Sequence, residues 1–247
     1  MSNGGDRPGL GPRHPSPSPK PERWTPDRAR RIGALTLVGQ PAAAYRNVTA
    51  WEVPGVAGAE SAEGASWLNE ALDHGWALLG RPRQPTRVAS MVPTGYPAYA
   101  RVFHSEGEMR GDIEGGSEPG AVILEALATC LEPRTATPGR CWFAIWEGFG
   151  DLPSFGEPGP ALLHLPARSY ILLTGPVTAA PLMARYHAPA LWWPEDRRWA
   201  VGGDVDLDST FVAGDQELIS AVLARPELLA VPVAPDTVLS VFPADPT

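Results

Sequence analysis

Proline and glycine set the strongest limit on what this chain can fold into. They account for 29 and 26 of its 247 residues, close to the level typical of disordered chains. The first 29 residues hold seven prolines and four glycines, including the run PSPSPKP at residues 15–21. That run favours polyproline II and cannot bury a core. It is also typical of ligands for proline-recognising grooves, although an unstructured extension is the simpler interpretation.

The composition of the remaining chain predicts a globular body behind this tail. Hydrophobic residues make up 43% of the sequence, which is enough to bury one good core. We therefore expect a disordered tail over residues 1–31 and a single globular domain over residues 32–247. The stretch RPRQPT at residues 81–86 is typical of a linker, so a subdivision of the domain there is left open.

Charge is distributed unevenly along the chain. The formal net charge is −8, yet residues 1–31 carry seven basic and three acidic residues, which puts the tail at +4 and the remainder at −12. An acidic body repels phosphate backbones, which argues against nucleic-acid binding through the folded part. Lys20 is the only lysine, so the body has no lysine for Schiff-base or P-loop chemistry.

The cysteines and the apolar segments indicate the cellular compartment of the protein. Cys130 and Cys141 are the two cysteines and form no CxxC pair, which excludes a cysteine zinc site. The N-terminus shows no apolar signal region, and the least charged long stretch, residues 169–184, is too short and too proline-broken to span a bilayer. We expect a cytoplasmic protein with no membrane partner and with both thiols reduced.

Hydrophobic periodicity predicts three helices and a larger number of strands. Helical spacing covers residues 61–79, 117–131 and 215–224, with Ser117 as the cap of the second helix. Because the strands outnumber the helices and do not strictly alternate with them, we expect an α+β fold with a mainly antiparallel or mixed sheet. The predicted strands are residues 32–38, 87–92, 98–104, 141–146, 161–165, 169–173, 190–193, 199–212, 228–233 and 237–241.

Three aspartates at alternate positions make residues 199–212 the most unusual segment. In an extended strand, Asp204, Asp206 and Asp208 share one face. Their mutual repulsion must be offset by water, by an arginine or by a divalent cation. The spacing resembles an EF-hand loop, but Ser209 stands where that loop needs glycine. A hard-cation site of another kind, for Mg²⁺, Mn²⁺ or Ca²⁺, stays an alternative to a solvated acidic face, and Arg101 is a candidate partner for the row.

Aromatic residues next to glycine form a second group of candidates. Trp146 and Phe149 could floor a ligand pocket with Glu147 as a polar anchor. Ordinary core and turn packing is the alternative interpretation.

The segment LWWPEDRRW at residues 191–199 concentrates aromatic and charged side chains. Trp192 and Trp193 would line the same groove as Trp146. Glu195 and Arg197 are candidate polar contacts of that groove.

Two of these segments also carry a resemblance. WWPEDR at residues 192–197 and DLDSTFV at residues 206–212 resemble a signature of an uncharacterised family of actinobacterial proteins. Residues 95–104 and 142–150 are similar to other parts of that family, so the resemblance spans residues 87–233. It implies a bacterial cytosolic protein in which these segments belong to one fold, and it implies no activity.

Two functions from different classes follow. The first is a non-catalytic binding or protein-interaction module with an aromatic and acidic groove for an unknown protein or small molecule; nine tryptophans and the lack of a recognisable catalytic set favour it. Such an acidic protein could neutralise a basic protein partner, by analogy with immunity proteins. The second is a metal-dependent hydrolase in which Asp204, Asp206 and Asp208 hold the cation and Glu195 or Glu147 acts as base.

Overall fold

Short antiparallel strands build one sheet in the computed structural model, which describes residues 1, 51–73, 86–110, 117–156, 158–166 and 168–239. In this part of the chain the sheet has the order β1-β5-β3-β6-β7-β8-β2-β9, with β4 beside β5. The strands are β1 (Ala57–Gly58), β2 (Ala98–Phe103), β3 (Cys141–Trp146), β4 (Leu162–His164), β5 (Ser169–Gly175), β6 (Leu191–Pro194), β7 (Ala200–Gly203), β8 (Ser209–Gly214) and β9 (Leu229–Pro232).

Helices are few and mostly short. The α-helices of the described residues are α1 (Leu68–Ala71), α2 (Glu106–Arg110), α3 (Ala121–Leu131), α4 (Ala180–Met183) and α5 (Gln216–Ala224). Every pairing between these strands is antiparallel. The protein is therefore an α+β protein with a mainly antiparallel sheet, as its sequence predicts.

Both faces of the sheet are covered, and neighbouring residues of one strand go to different cores. Trp192 packs with Trp199 and the helices α3, α4 and α5 on one face. Trp193 packs with Leu68 of α1 and Val88 on the other face. All six residues of β8 are buried. Burial on both sides explains why the central strands have long apolar runs instead of a polar alternation.

The predicted segments around strands β2, β3, β4, β5, β6 and β9 are strands in the structure. The helix predicted at residues 215–224 is also confirmed, because Asp215 caps α5 by accepting a hydrogen bond of 2.7 Å from the Leu218 N–H. The strand predicted at residues 32–38 and part of the one at 237–241 lie outside the described residues. The described portion of the latter forms a single bridge, between Val238 and Arg87.

Three other predictions about elements were wrong. Residues 87–92 form a 3-10 turn at Val88–Ser90, because nearly the whole apolar run is buried rather than one face of it. The helix predicted from residue 117 begins at Ala121 with Gly120 as its cap. The helix predicted at residues 61–79 is divided into a 3-10 turn, Glu63–Ala65, and α1, after which Leu72 is extended at ψ 141°. Residues 74–80 lie outside the description.

The segment 199–212 is a hairpin and not one long strand. β7 ends at Gly203, and the chain turns before β8 begins at Ser209. The Asp204 carboxylate accepts a hydrogen bond of 3.0 Å from the Asp206 N–H, and the Asp204 carbonyl accepts one of 3.0 Å from the Leu207 N–H. An aspartate that bonds its own backbone two residues on is typical of a turn, so the three aspartates do not line a strand face.

Two ends of the sheet matter for function. At one end, β3 finishes at Trp146, β7 finishes at Gly203 and β8 begins. We call this the acidic end, because it carries Glu147, Asp204, Asp206 and Asp208. At the opposite end, β6 passes into β7 through the turn that holds Glu195 and Arg197. We call this the hairpin end, after the β6–β7 hairpin. The turn of the β7–β8 hairpin lies at the acidic end.

Candidate functional site

The structure divides the candidate residues between the two ends of the sheet. Trp146, Glu147 and Phe149 lie at the acidic end, whereas Glu195 and Arg197 lie at the hairpin end. Strand β3 separates them, and six residues of strand span about 17 Å. These side chains therefore do not line one common groove.

Trp192 and Trp193 are core residues, so the prediction that they line a groove was wrong. Their exposed fractions are 0% and 1%. The Trp192 ring lies 5.4 Å from the ring of Trp199, edge to face, and the Trp193 ring lies 6.3 Å from that of Trp142 and parallel to it. Both tryptophans belong to the middle strand of the sheet, where the two cores cover them.

Arginine offsets the repulsion among the aspartates. The Arg168 guanidinium lies 3.2 Å from the Asp204 carboxylate and 2.7 Å from that of Asp206. The predicted partner Arg101 pairs with Asp208 at 2.7 Å and also donates to the Ser209 hydroxyl. The sequence left open whether water, an arginine or a divalent cation offsets this repulsion, and the structure shows arginine side chains in that role.

Asp204 is the most buried member of the row, with 4% of its side chain exposed. Burial raises the pKa of Asp204 above its usual value, against the opposing effects of the Asp206 N–H and the Arg168 charge. Among the described residues, no group of three histidines, cysteines or carboxylates is placed to hold a metal ion. The carboxylates that a cation would need are instead bonded to arginine and backbone.

An aromatic stack joins this arginine to a histidine. The Arg168 guanidinium lies 4.5 Å above the Trp146 ring, which meets the Phe149 ring edge-on at 5.2 Å. The Phe149 ring is parallel to that of His187, 3.5 Å between centroids. The sequence indicated Trp146 and Phe149 as a pair, and the structure brings them together, but each packs on a further side chain rather than on an open pocket.

His187 is held between two carboxylates. Its Nδ1 lies 3.0 Å from the Glu118 carboxylate and its Nε2 lies 2.9 Å from that of Asp151. Burial by itself lowers the pKa of His187, but the hydrogen bonds to Glu118 and Asp151 raise the pKa by more, so it lies above the ordinary value. Both ring nitrogens donate when the imidazole is charged, so this arrangement favours imidazolium. Sequence reasoning missed it because the three residues are far apart in the chain.

The cleft at the acidic end is too narrow for a ligand. His104, Phe149, Asp204 and Thr210 are among its lining residues, and its volume is about 20 Å³. That volume holds little more than one water molecule. The His104 ring spans the cleft wall between the hydroxyls of Ser117 and Thr210, at 3.2 and 2.9 Å.

A larger groove lies at the hairpin end, between α5 and the strands β2 and β9. Its volume is about 520 Å³, within the range typical of ligand sites. We call it the tyrosine groove. Its lining residues are Gly95, Tyr96, Pro97, Ala98, Tyr99, Gln216, Ile219, Leu223, Pro232, Val233, Ala234 and Pro235.

The lining of the tyrosine groove is uncharged, and its tyrosines are held in place. The Tyr96 hydroxyl donates to the Arg197 carbonyl at 2.9 Å, and the Tyr99 hydroxyl accepts from the Tyr96 N–H at 3.1 Å. Burial raises the pKa of both tyrosines. The hydroxyls therefore stay protonated, and the neutral aromatic surface of the groove is mainly that of Tyr96, because only 6% of Tyr99 is exposed.

Carboxylates stand just outside this uncharged lining. Asp215 and Glu217 flank Gln216, and 56% and 82% of their side chains are exposed. Asp236 follows Pro235 and is also exposed. The groove is therefore apolar along its floor, and of the three carboxylates outside it Asp215 and Glu217 face the Arg134 guanidinium, at 4.0 and 2.6 Å.

Sequence reasoning did not predict this groove. Residues 95–104 stood out only as part of the resemblance. The contribution of α5 and of residues 232–235 carried no local signal, because these segments meet the tyrosines only through the folding of the sheet.

Comparison of the chain with protein-family models, with curated proteins and with solved structures finds no match. No helix in the described part of the chain has the length and apolar character needed to cross a membrane.

Proposed function

We propose that the protein is a non-catalytic interaction module that takes an extended, uncharged and proline-rich segment of a partner protein in the tyrosine groove. The observation that carries this proposal is the combination of a 520 Å³ groove with a lining that has no charged residue among the described ones. Binding of apolar groups needs such a surface, whereas hydrolytic chemistry needs a nucleophile, a base or a metal ion.

The arrangement of the charged groups supports binding over catalysis. At the acidic end, Arg168, Asp204 and Asp206 are bonded to one another, and the adjoining cleft has room for about one water. A metal-dependent hydrolase would need Asp204, Asp206 and Asp208 to converge on one cation. They are instead shared between two arginines, so no observation favours that alternative.

The residue types of the groove favour a proline-rich partner. Aromatic-lined grooves bind polyproline II segments because a proline ring packs flat on an aromatic ring and the segment loses little conformational entropy. Tyr96 supplies a half-buried ring, and its hydroxyl and Gln216 supply polar atoms at the wall. Pro232, at the end of the edge strand β9, has no N–H to donate, which disfavours addition of a partner strand there.

A carboxylate beside the groove adds a charge preference. Asp236 is exposed next to the uncharged lining, so a basic residue beside the proline-rich segment would be attracted to it. Asp215 and Glu217 contribute less, because Arg134 lies 4.0 and 2.6 Å from their carboxylates. The proposed site is still an aromatic groove with a carboxylate beside it, as the sequence analysis expected, but other residues form it. The proposed partner is also still basic, because its proline-rich segment carries a flanking arginine.

A peptide titration tests the proposal. The probe is a blocked peptide of eight prolines with one C-terminal arginine, followed by amide chemical shifts in the full-length protein. We expect saturable shifts at Gly95 and Gln216 that are abolished by Leu223→Arg, which puts a charge into the groove wall. Leu182→Arg is the matched control, because Leu182 is 48% exposed on α4 and lies outside the groove.

The second groove variant, Pro97→Arg, guards against a folding defect, since Pro97 is exposed on the rim. Both groove variants should weaken binding while the circular dichroism spectrum stays that of the unmodified protein. Absence of binding at millimolar peptide, or equal binding by all the variants, contradicts the proposed function.

A further inference from the structure

The chain carries a segment of the kind that the tyrosine groove suits. Residues 15–21 read PSPSPKP, with prolines at every second position and Lys20 between the last two. These residues lie outside the described part of the structure. We propose that the tyrosine groove binds residues 15–21 of its own chain, so that this segment competes with an outside partner. The inference rests on the proposed function and adds regulation of the same site.

The spacing of the prolines suits binding in a groove. Polyproline II has three residues per turn, so prolines at alternate positions place at least one ring on each side of the helix. The intervening serines are small and do not hinder contact with the half-buried ring of Tyr96. The groove lining has no charged residue among the described ones that a run of prolines and serines would have to desolvate.

The charges of the two partners are complementary. Residues 1–31 carry +4 and the rest of the chain −12. Lys20 lies within the run and Arg23 follows it, while the exposed Asp236 follows Pro235 of the groove lining. Attraction between exposed charges of this kind is weak and screened by salt. It sets a preference for this segment over an uncharged one.

The connection is long enough. The chain from Pro21 to Trp51, where the continuous description begins, reaches up to about 100 Å when extended. A folded domain of this size has a radius of gyration of about 16 Å, so every part of its surface is within reach. Attachment through such a connection gives an effective concentration of the order of millimolar. A segment that binds only weakly as a free peptide therefore still occupies the groove.

The experiment uses the full-length protein with Pro17→Ala/Pro19→Ala, and Pro8→Ala/Pro26→Ala as the matched control. The first variant should shift the amide resonances of Gly95 and Gln216 and increase the affinity for the proline–arginine peptide by roughly two- to tenfold, because the internal competitor is weakened. The control variant should leave the resonances and the affinity unchanged.

The experiment distinguishes failure of the internal competition from failure of the proposed function. If the peptide binds and Leu223→Arg abolishes binding, but Pro17→Ala/Pro19→Ala changes neither the resonances nor the affinity, the proposed function stands and the internal competition is refuted. If the peptide does not bind and neither the tail variant nor Leu223→Arg alters the resonances of the opposite groove wall, both fail. Resonance shifts that disappear on dilution would show that a second copy supplies the segment, which overturns the intramolecular form.

Discussion

Individual charged side chains in this protein act mainly on one another. Arg168 illustrates this, because the same guanidinium contacts two carboxylates and lies over an indole ring. Alternating aspartates in a sequence indicate a need for positive charge, and the type of cation then depends on what packs nearby. Here the neighbouring loops provide arginines, and the sequence alone could not exclude a metal ion because both satisfy the same carboxylates.

His187 leads to a prediction about pH. Its pKa is raised in the folded protein, so its stabilising contribution is complete below the ordinary histidine value of about 6.5 and is lost as the pH rises through the folded value. We expect the urea concentration at the unfolding midpoint of the unmodified protein to decrease as the pH is raised from 6 to 9. The variant His187→Gln should show a smaller decline over this interval, as measured by tryptophan fluorescence.

One outcome of the urea experiment would contradict this role of His187. If both proteins lose the same stability between pH 6 and pH 9, the bonds to Glu118 and Asp151 do not favour the charged imidazole. Titration of the His187 ring protons by NMR provides an independent measurement, because their midpoint should lie above about 6.5, the ordinary value for histidine.

At the scale of elements, close approaches between backbones decide where strands can lie. Gly202 in β7 is the strongest case. A Cβ atom there would lie 1.9 Å from the Met91 carbonyl oxygen and 2.9 Å from a methyl carbon of Leu191. Real Cβ atoms do not approach a backbone oxygen so closely, so the turn at Val88–Ser90 and strand β7 fit together because this residue has no side chain.

We therefore expect Gly202→Ala to destabilise the protein by about 3 kcal/mol, since a backbone must shift to relieve the contact. Gly139→Ala is the matched control, because no atom lies within 4 Å of its Cβ position. Chemical unfolding measures both. Equal stability of the two variants would show that β7 and the turn are not packed as closely as described.

At the scale of the whole molecule, the acidic end holds several elements together. Arg168 precedes β5, Trp146 ends β3, and Asp204 and Asp206 lie in the turn between β7 and β8. The side chains of Arg168 and Asp204 are 14% and 4% exposed, so their pairing is largely screened from water. Loss of one partner leaves the other charge buried without compensation.

Arg168→Met should accordingly destabilise the protein by about 3 kcal/mol, and Asp204→Asn in the same background should recover part of that loss. A coupling energy above about 1 kcal/mol in the double-mutant cycle is expected. Arg140→Met serves as the control, because Arg140 lies 2.7 Å from Glu195, closer than the 3.2 Å between Arg168 and Asp204, but these two side chains are 72% and 47% exposed. That variant should change stability by less than about 0.5 kcal/mol. Additive effects of the Arg168 and Asp204 substitutions would contradict the pairing.

The sequence by itself determined the fold class and the elements whose signals are local. The apolar run at residues 141–146 located β3, and helical spacing located α5 within residues 215–224. These succeed because strand and helix periodicity depend on residues a few positions apart. The same local rules failed at residues 199–212, because β7 and β8 are buried on both faces and periodicity no longer distinguishes one strand from two.

Only the tertiary structure decided which side chains meet. It placed Trp192 and Trp193 in two different cores, gave the aspartates to two arginines, and assembled the tyrosine groove from residues 95–99, 216–223 and 232–235. Contacts between residues separated by more than a hundred positions arise from the order of strands in the sheet, which no single stretch of sequence encodes. The tyrosine groove accordingly exists only once β2, α5 and β9 are folded against each other.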